Sequence, residues 1–265
     1  MMTAAKNAPV QYVLGVVRFP PVADLDKFAG ALKTALDPEY PFGSNSRLTE
    51  LNIQIGEKGI DVQPQEVSLW QFLNADRNCG LLVNKGLVGL HTIAYENHAD
   101  FLGRLMHVID AARSVEGNHL RYIEAAALRY VDLIVPGDGE TLSEYMKAKL
   151  PVGLEIDGLT VNEGVNILGM KSDVGNLRLQ VYLNPKTVIP TDLLSPMLTE
   201  SDWTWELPKG DFVTIDIDHA TIYSPPVEIE KIDLRDNLFR LRKPISDIFK
   251  KIATQHAMKV WGLDQ

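Results

Sequence analysis

Two hydrophobic rhythms run along the chain, one of period two that marks strands and one of three- and four-residue steps that marks helices. The longest run of period two spans residues 120–135. Arg121, Ile123, Ala125, Ala127, Arg129, Val131 and Leu133 share one pleat face there, and Tyr122, Glu124, Ala126, Leu128, Tyr130, Asp132 and Ile134 share the other. Small residues occupy the middle of both faces, so close packing is expected on each side. Residues 11–19 form a second strand stopped by Pro20-Pro21, and Asp24 caps a helix reaching Leu36. Residues 51–55 and 67–72 are weaker strands. Residues 81–83 and 87–95 make a hairpin around Asn84-Lys85-Gly86, with Gly86 expected to supply a positive φ. Phe101, Leu105, Val108, Ile109 and Ala112 then recur at helical spacing and lead into the long strand.

The second half opens with a short helix over 141–150, where Thr141 and Glu144 are spaced as a capping box. A hairpin of 159–170 and 176–183 follows. Proline-rich residues 185–208 read as a long excursion with a short helix near 193–198, and 211–223 as a strand. Leu234, Leu238, Leu241, Ile245, Ile248 and Ile252 form a closing helical stripe that Pro244 should kink or split. Hairpins outnumber β-α-β alternation, which predicts an α+β fold of mainly antiparallel sheet with helices packed on one face. Its two halves, residues 1–136 and 137–265, share a hairpin-plus-helix grammar and are also compatible with one continuous domain.

Length and composition place the chain among globular proteins: 265 residues bury a core without disulfides, and no apolar run approaches membrane-spanning length. The first nine residues lack the apolar centre of a secretory signal, and Cys79 is the sole cysteine, so a cytoplasmic location is expected. A net charge of −9 disfavours nucleic acid as a partner, because the summed field repels phosphates.

Chemistry-bearing motifs are sparse. No phosphate-binding glycine pattern, nucleophile elbow, Cys-x-x-Cys or His-Glu-x-x-His occurs, and no cofactor or metal is expected. Asp216 and Asp218 share one strand face and are the best carboxylate pair, while His219 points away; the plainer expectation is a wet strand face. His91, His98, His107 and His119 are expected in surface or capping positions, and Cys79 as an unreactive thiol at a strand entrance. Arg18, Arg121 and Arg129 stand in otherwise apolar strands, where a guanidinium needs carboxylates, carbonyls or an anionic ligand. Trp203 and Trp205, flanked by Asp202 and Glu206, form an exposed-looking aromatic segment of the kind that anchors interfaces.

The strand ending Arg18-Phe-Pro-Pro21, the hairpin Gly80-Leu-Leu-Val83 to Thr92-Ile-Ala-Tyr95 followed by His98-Ala-Asp-Phe-Leu102, then Leu128-Arg-Tyr-Val-Asp132 and the closing Val260-Trp-Gly262 are recognisable together. Over essentially the whole chain, they resemble a sporadically distributed bacterial family of hypothetical proteins. That resemblance carries no activity, cofactor or catalytic residue; its patchy distribution implies an immunity, defence or regulatory role by association alone. The leading expectation is a non-enzymatic protein that binds a protein partner, with Trp203 and Trp205 as anchors. Its rival is a small-ligand protein or enzyme with an anion-accepting pocket between the halves, using Arg18, Arg129, Asp216 and Asp218.

Overall fold

A computed structural model describes residues 8–56, 59–115, 119–147, 157–194 and 203–263, with backbone alone for 48–67. Among these residues, nine strands form one antiparallel sheet: β1 (Val10–Arg18), β2 (Phe42–Gly56), β3 (Gly59–Leu73), β4 (Cys79–Asn84), β5 (Leu87–Thr92), β6 (Tyr122–Ile134), β7 (Gly164–Lys171), β8 (Asn176–Leu183) and β9 (Val213–Glu228). Their order is β2-β3-β4-β5-β1-β6-β9-β8-β7. The helices are α1 (Leu25–Ala35), α2 (His98–Ser114), α3 (Leu142–Tyr145), α4 (Thr191–Leu194), α5 (Leu234–Ile252) and α6 (Gln255–Val260). The architecture is α+β. The sheet crosses the 136/137 boundary without a break, since β6 pairs with β1 on one side and β9 on the other.

The helical stripes explain where the main core lies. Phe28 and Leu32 of α1, Leu105 and Ile109 of α2, and Leu238, Leu241 and Ile245 of α5 are buried with Val13, Val17, Leu128, Ile215 and Ile217 of the sheet. Asp24, Asn97 and Asp233 cap these three helices through their side chains. Gly15 on central β1 sets the approach of α2: a Cβ there would stand 2.6 Å from Leu105 Cδ2.

The opposite face is covered in part by the described residues of the excursion, 185–194 and 203–208. Val188, Ile189, Leu193 of α4, Trp203 and Trp205 pack over Tyr12, Leu14, Leu82 and Val131. At the other end of this face the side chains of β7 stand open, with Val165 and Ile167 beside Tyr182 and Gln180 of β8 in register.

Several local expectations change. α5 runs through Pro244 as one helix, because burial of Leu241 and Ile245 on either side outweighs one missing backbone hydrogen bond. Gly86 is not in the left-handed region; its lack of a side chain matters because a Cβ would meet Phe19 O at 3.0 Å. α3 has the predicted capping box but only four residues, and α4 starts at Thr191, upstream of the expected 193–198. Residues 148–150 and 195–198 of those two expectations lie outside the described residues.

Candidate functional site

The sheet face away from the main helices carries a line of polar side chains, and Arg129 is at its centre. β6 places Arg129 on that face, and its side chain is 13% exposed while Asp216 beside it is 0% exposed. Arg129 Nε and Nη2 donate to Asp216 Oδ1 and Oδ2 at 2.8 and 2.7 Å. Its Nη1 and Nη2 donate to Asp192 of α4 at 2.6 and 3.0 Å. Gln180 of β8 completes the buried carboxylate with an amide N–H to Asp216 Oδ2 at 2.7 Å. Burial alone would lower the guanidinium pKa, but the two carboxylates raise it above its ordinary value, so Arg129 stays charged. Two aspartates thus occupy the guanidinium fork that an anionic ligand would need.

Asp218 is treated differently from Asp216. Burial pushes its carboxyl up, Arg129 opposes this, and Asp216 and Asp192 add to the rise. Asp216 is therefore no part of a wet strand face, as its burial in the ion pair shows, while Asp218 borders an open groove with Lys171 and Arg178. Arg18 shares the sheet face with Arg129 but stands exposed at the far end of β1, opposite Ala125 rather than beside the cluster.

Nearer β3, the same face holds a second polar line. Gln71 Nε2 donates to His91 Nε2 at 2.9 Å, and His91 Nδ1 meets the Tyr12 hydroxyl at 3.0 Å. Trp203 lies on this pair, 4.6 Å from the His91 ring and 6.2 Å from Tyr12, and its indole N–H donates to Arg77 O. Two expectations are corrected here. His91 is fully buried rather than at the surface, and burial lowers its pKa to about 3, keeping it neutral. Trp203 is buried as well, because the excursion folds back onto the sheet, and Trp205 is half-buried in the same cluster.

A third group lies on the helix face. The His98 imidazole, at the first turn of α2, reaches the Tyr130 hydroxyl through Nδ1 at 3.3 Å, and Tyr130 donates to Tyr95 at 3.5 Å. Arg242 of α5 sits 4.7 Å over the Tyr130 ring. Beneath them Asp132 is buried; burial raises its pKa to about 7, Arg242 opposes the rise and Asp216 adds to it. Burial, then Arg242, lowers His98 to about 4. An open cleft of about 930 Å³ adjoins this group, lined by Asn97, His98, Leu102, Asp233, Arg235 and Phe239 among others.

The remaining predicted groups are dispersed. His107 pairs with Glu39 at 2.9 Å, and His219 binds Ser172 and the Leu241 carbonyl at 2.8 Å each. The His119 side chain lies outside the described residues. Cys79 is buried, and burial raises its thiol pKa, which disfavours the reactive thiolate. Among the described residues, no three His, Cys, Asp or Glu side chains gather as metal ligands.

Sequence reasoning missed Asp192, Gln180 and Arg242. Gln180 carried a signal, a polar residue amid Leu177, Leu179 and Val181, whereas Asp192 depended on where the excursion lands. No family model, curated protein or solved structure matches this chain. No helix among the described residues is long and apolar enough to cross a membrane.

Proposed function

We propose that this is a non-enzymatic, cytoplasmic protein-binding accessory of an immunity, defence or regulatory kind, and that its partner docks at the β7 end of the sheet. The observation that carries this reading is the edge strand itself. Ile167 is 52% and Leu168 47% exposed, on opposite faces of a strand whose outer edge has no neighbouring strand among the described residues. Val165, Leu159 and Val161 extend the apolar surface. A long, apolar free edge is normally blunted, because its backbone N–H and C=O groups recruit another strand. The partner that fits is an extended apolar segment adding a tenth strand, with main-chain hydrogen bonds for affinity and alternate side chains for specificity.

The use of Arg129, Asp216, Gln180 and Asp192 among themselves supports a structural rather than catalytic role for that cluster. The strand order supports a further reading, that β1 to α2 and β6 to α5 repeat one plan. In each, a central strand is followed by an excursion, a meander returns to its side, and a helix closes over the sheet. The two copies would meet at the β1–β6 pair.

The test is affinity purification of tagged wild-type protein and Ile167→Asp from the native host, with mass spectrometry and sizing. A stoichiometric partner held by wild type and lost by a variant of unchanged melting temperature supports edge docking. A partner retained by Ile167→Asp, or a wild-type protein that elutes alone, overturns it.

A further inference from the structure

The edge strand β7 is complementary to itself when reversed. Together with the residue before it, the strand reads Glu163-Gly-Val-Asn-Ile-Leu-Gly-Met-Lys171, so opposite charges stand at its two ends. Both are exposed, and they share one pleat face with Val165, Ile167 and Gly169. Ile167 is the midpoint of that row. The backbone groups that β7 turns away from β8 form an unpaired edge among the described residues.

Two such edges meet antiparallel about a two-fold axis perpendicular to the sheet, and facing residues then lie on the same pleat face. The possible registers differ by two residues, and side-chain matching decides among them. With Ile167 on the axis, it faces its own copy, Glu163 faces the second copy's Lys171 at both ends, and Val165 faces the second copy's Gly169. A Cβ on Gly169 would meet nothing within 4 Å, and that space continues into an open groove bordered by Arg178 and Asp218. The branched Val165 of the second copy stands beside this notch. On the reverse face Met170 lies across from Gly164 and Leu168 from Asn166. Neighbouring registers lose the match. Centring on Leu168 sets Glu163 opposite Asp173, a like charge, and centring on Asn166 leaves Lys171 facing Val161 and Glu163 facing Gly169.

We propose that the strand received by the β7 edge is β7 of a second copy of this chain, in the register centred on Ile167. The two nine-stranded sheets then join into one, with the main helices of both copies on the same side, because the axis preserves the faces. This inference rests on the reading of β7 as the docking edge and names its occupant. An interface of one short strand from each copy is small, so the dimer forms reversibly and its population rises with concentration.

Sedimentation velocity of the full-length protein over about 5 to 500 µM tests the proposal. Wild type is expected to pass from monomer to dimer across that range. Ile167→Asp, which sets two carboxylates on the axis, should raise the midpoint at least about tenfold at unchanged melting temperature. Charge reads the register. Glu163→Lys and Lys171→Glu each put like charges face to face at both ends and should weaken the dimer several-fold, whereas the double variant, which exchanges the two charges, should return it close to wild type. Wild type that stays monomeric throughout overturns the second copy as occupant, while purification from the native host still decides whether the edge holds another chain. A dimer that Ile167→Asp leaves unchanged is built on another face and overturns the proposal, and a double variant no better than the single ones overturns the register.

Discussion

Arg129 and Asp218 stand directly opposite each other on β6 and β9, yet Arg129 gives its guanidinium to Asp216, two residues along. Only Asp216 is completely buried and braced by Gln180, so the pair forms where the dielectric is lowest and the geometry bidentate. Removing one partner strands the other. Asp216→Ala should cost about 3–5 kcal/mol, whereas Asp218→Asn should change stability by less than about 1 kcal/mol. Urea unfolding of the two variants measures this, and equal losses would show that the ion pair is not where the structure has it.

Stability should fall as pH rises from about 4 to about 7 because of Asp132. Its folded pKa of about 7 lies above the ordinary 3.8, so the folded state holds the proton more tightly than the unfolded chain. The stabilisation this gives is complete below about pH 4 and is lost as pH climbs through 7. Asp132→Asn, which mimics the protonated form, should therefore gain on wild type by a few kcal/mol between pH 5 and 8. Burial-lowered His91 and His98 act in the opposite sense, losing stability as pH falls below 6.5, in both proteins alike. Denaturant midpoints across pH 5–8 test the difference; parallel curves would reject a buried, proton-holding Asp132.

Trp203 should matter to the fold more than to any interface. It caps the His91–Tyr12 pair and donates to Arg77 O, so Trp203→Ala should cost about 3–5 kcal/mol, and half-buried Trp205→Ala less. Thermal melts of both variants check the order. A Trp203→Ala protein of wild-type stability would contradict the covered face.

Along α5, burial ranks the substitutions. Leu241 is wholly buried against the sheet, whereas Phe249 is half-buried and lies tilted against Trp261 with ring centroids 5.6 Å apart. Leu241→Ala should cost about 2–5 kcal/mol, Phe249→Ala less than a full core truncation, and exposed Lys251→Ala under about 0.5 kcal/mol. Urea unfolding of the three variants tests that series, with sizing to detect any loss of association.

What could be read from the chain was whatever depends on one segment at a time. The two-residue rhythm locates β1, β6 and β9, and the stripes of α2 and α5 announce the helix face, because each pattern is local. Arg129 among apolar neighbours signalled a buried partner, but the identity of Asp192 depends on how a proline-rich excursion crosses the sheet. His91 is the sharper case. Its burial requires room on β4, supplied by its cross-strand partner Gly80, where a Cβ would lie 2.9 Å from His91 Nε2. Register decides that, and no periodicity reveals it. The same limit hid the meeting of His98 with Arg242, which are far apart in the chain and share no motif.

The central position of β1 has a consequence for how the molecule assembles. The β2–β3, β4–β5 and β7–β8 pairs are hairpins that close over short loops. β1, by contrast, pairs with β5 and with β6, so Val10 waits for Asp132, and β6 in turn waits for Val213–Glu228 of β9. A chain leaving the ribosome would carry β1 unpaired on one edge until residues 122–134 have been made. Topology of this kind slows folding, since long loops must close before their contacts repay the lost entropy. β1 is secured on both sides only when β6 has formed, and β6 only when β9 has, and the interval in which they lie open is when the protein is most exposed to aggregation.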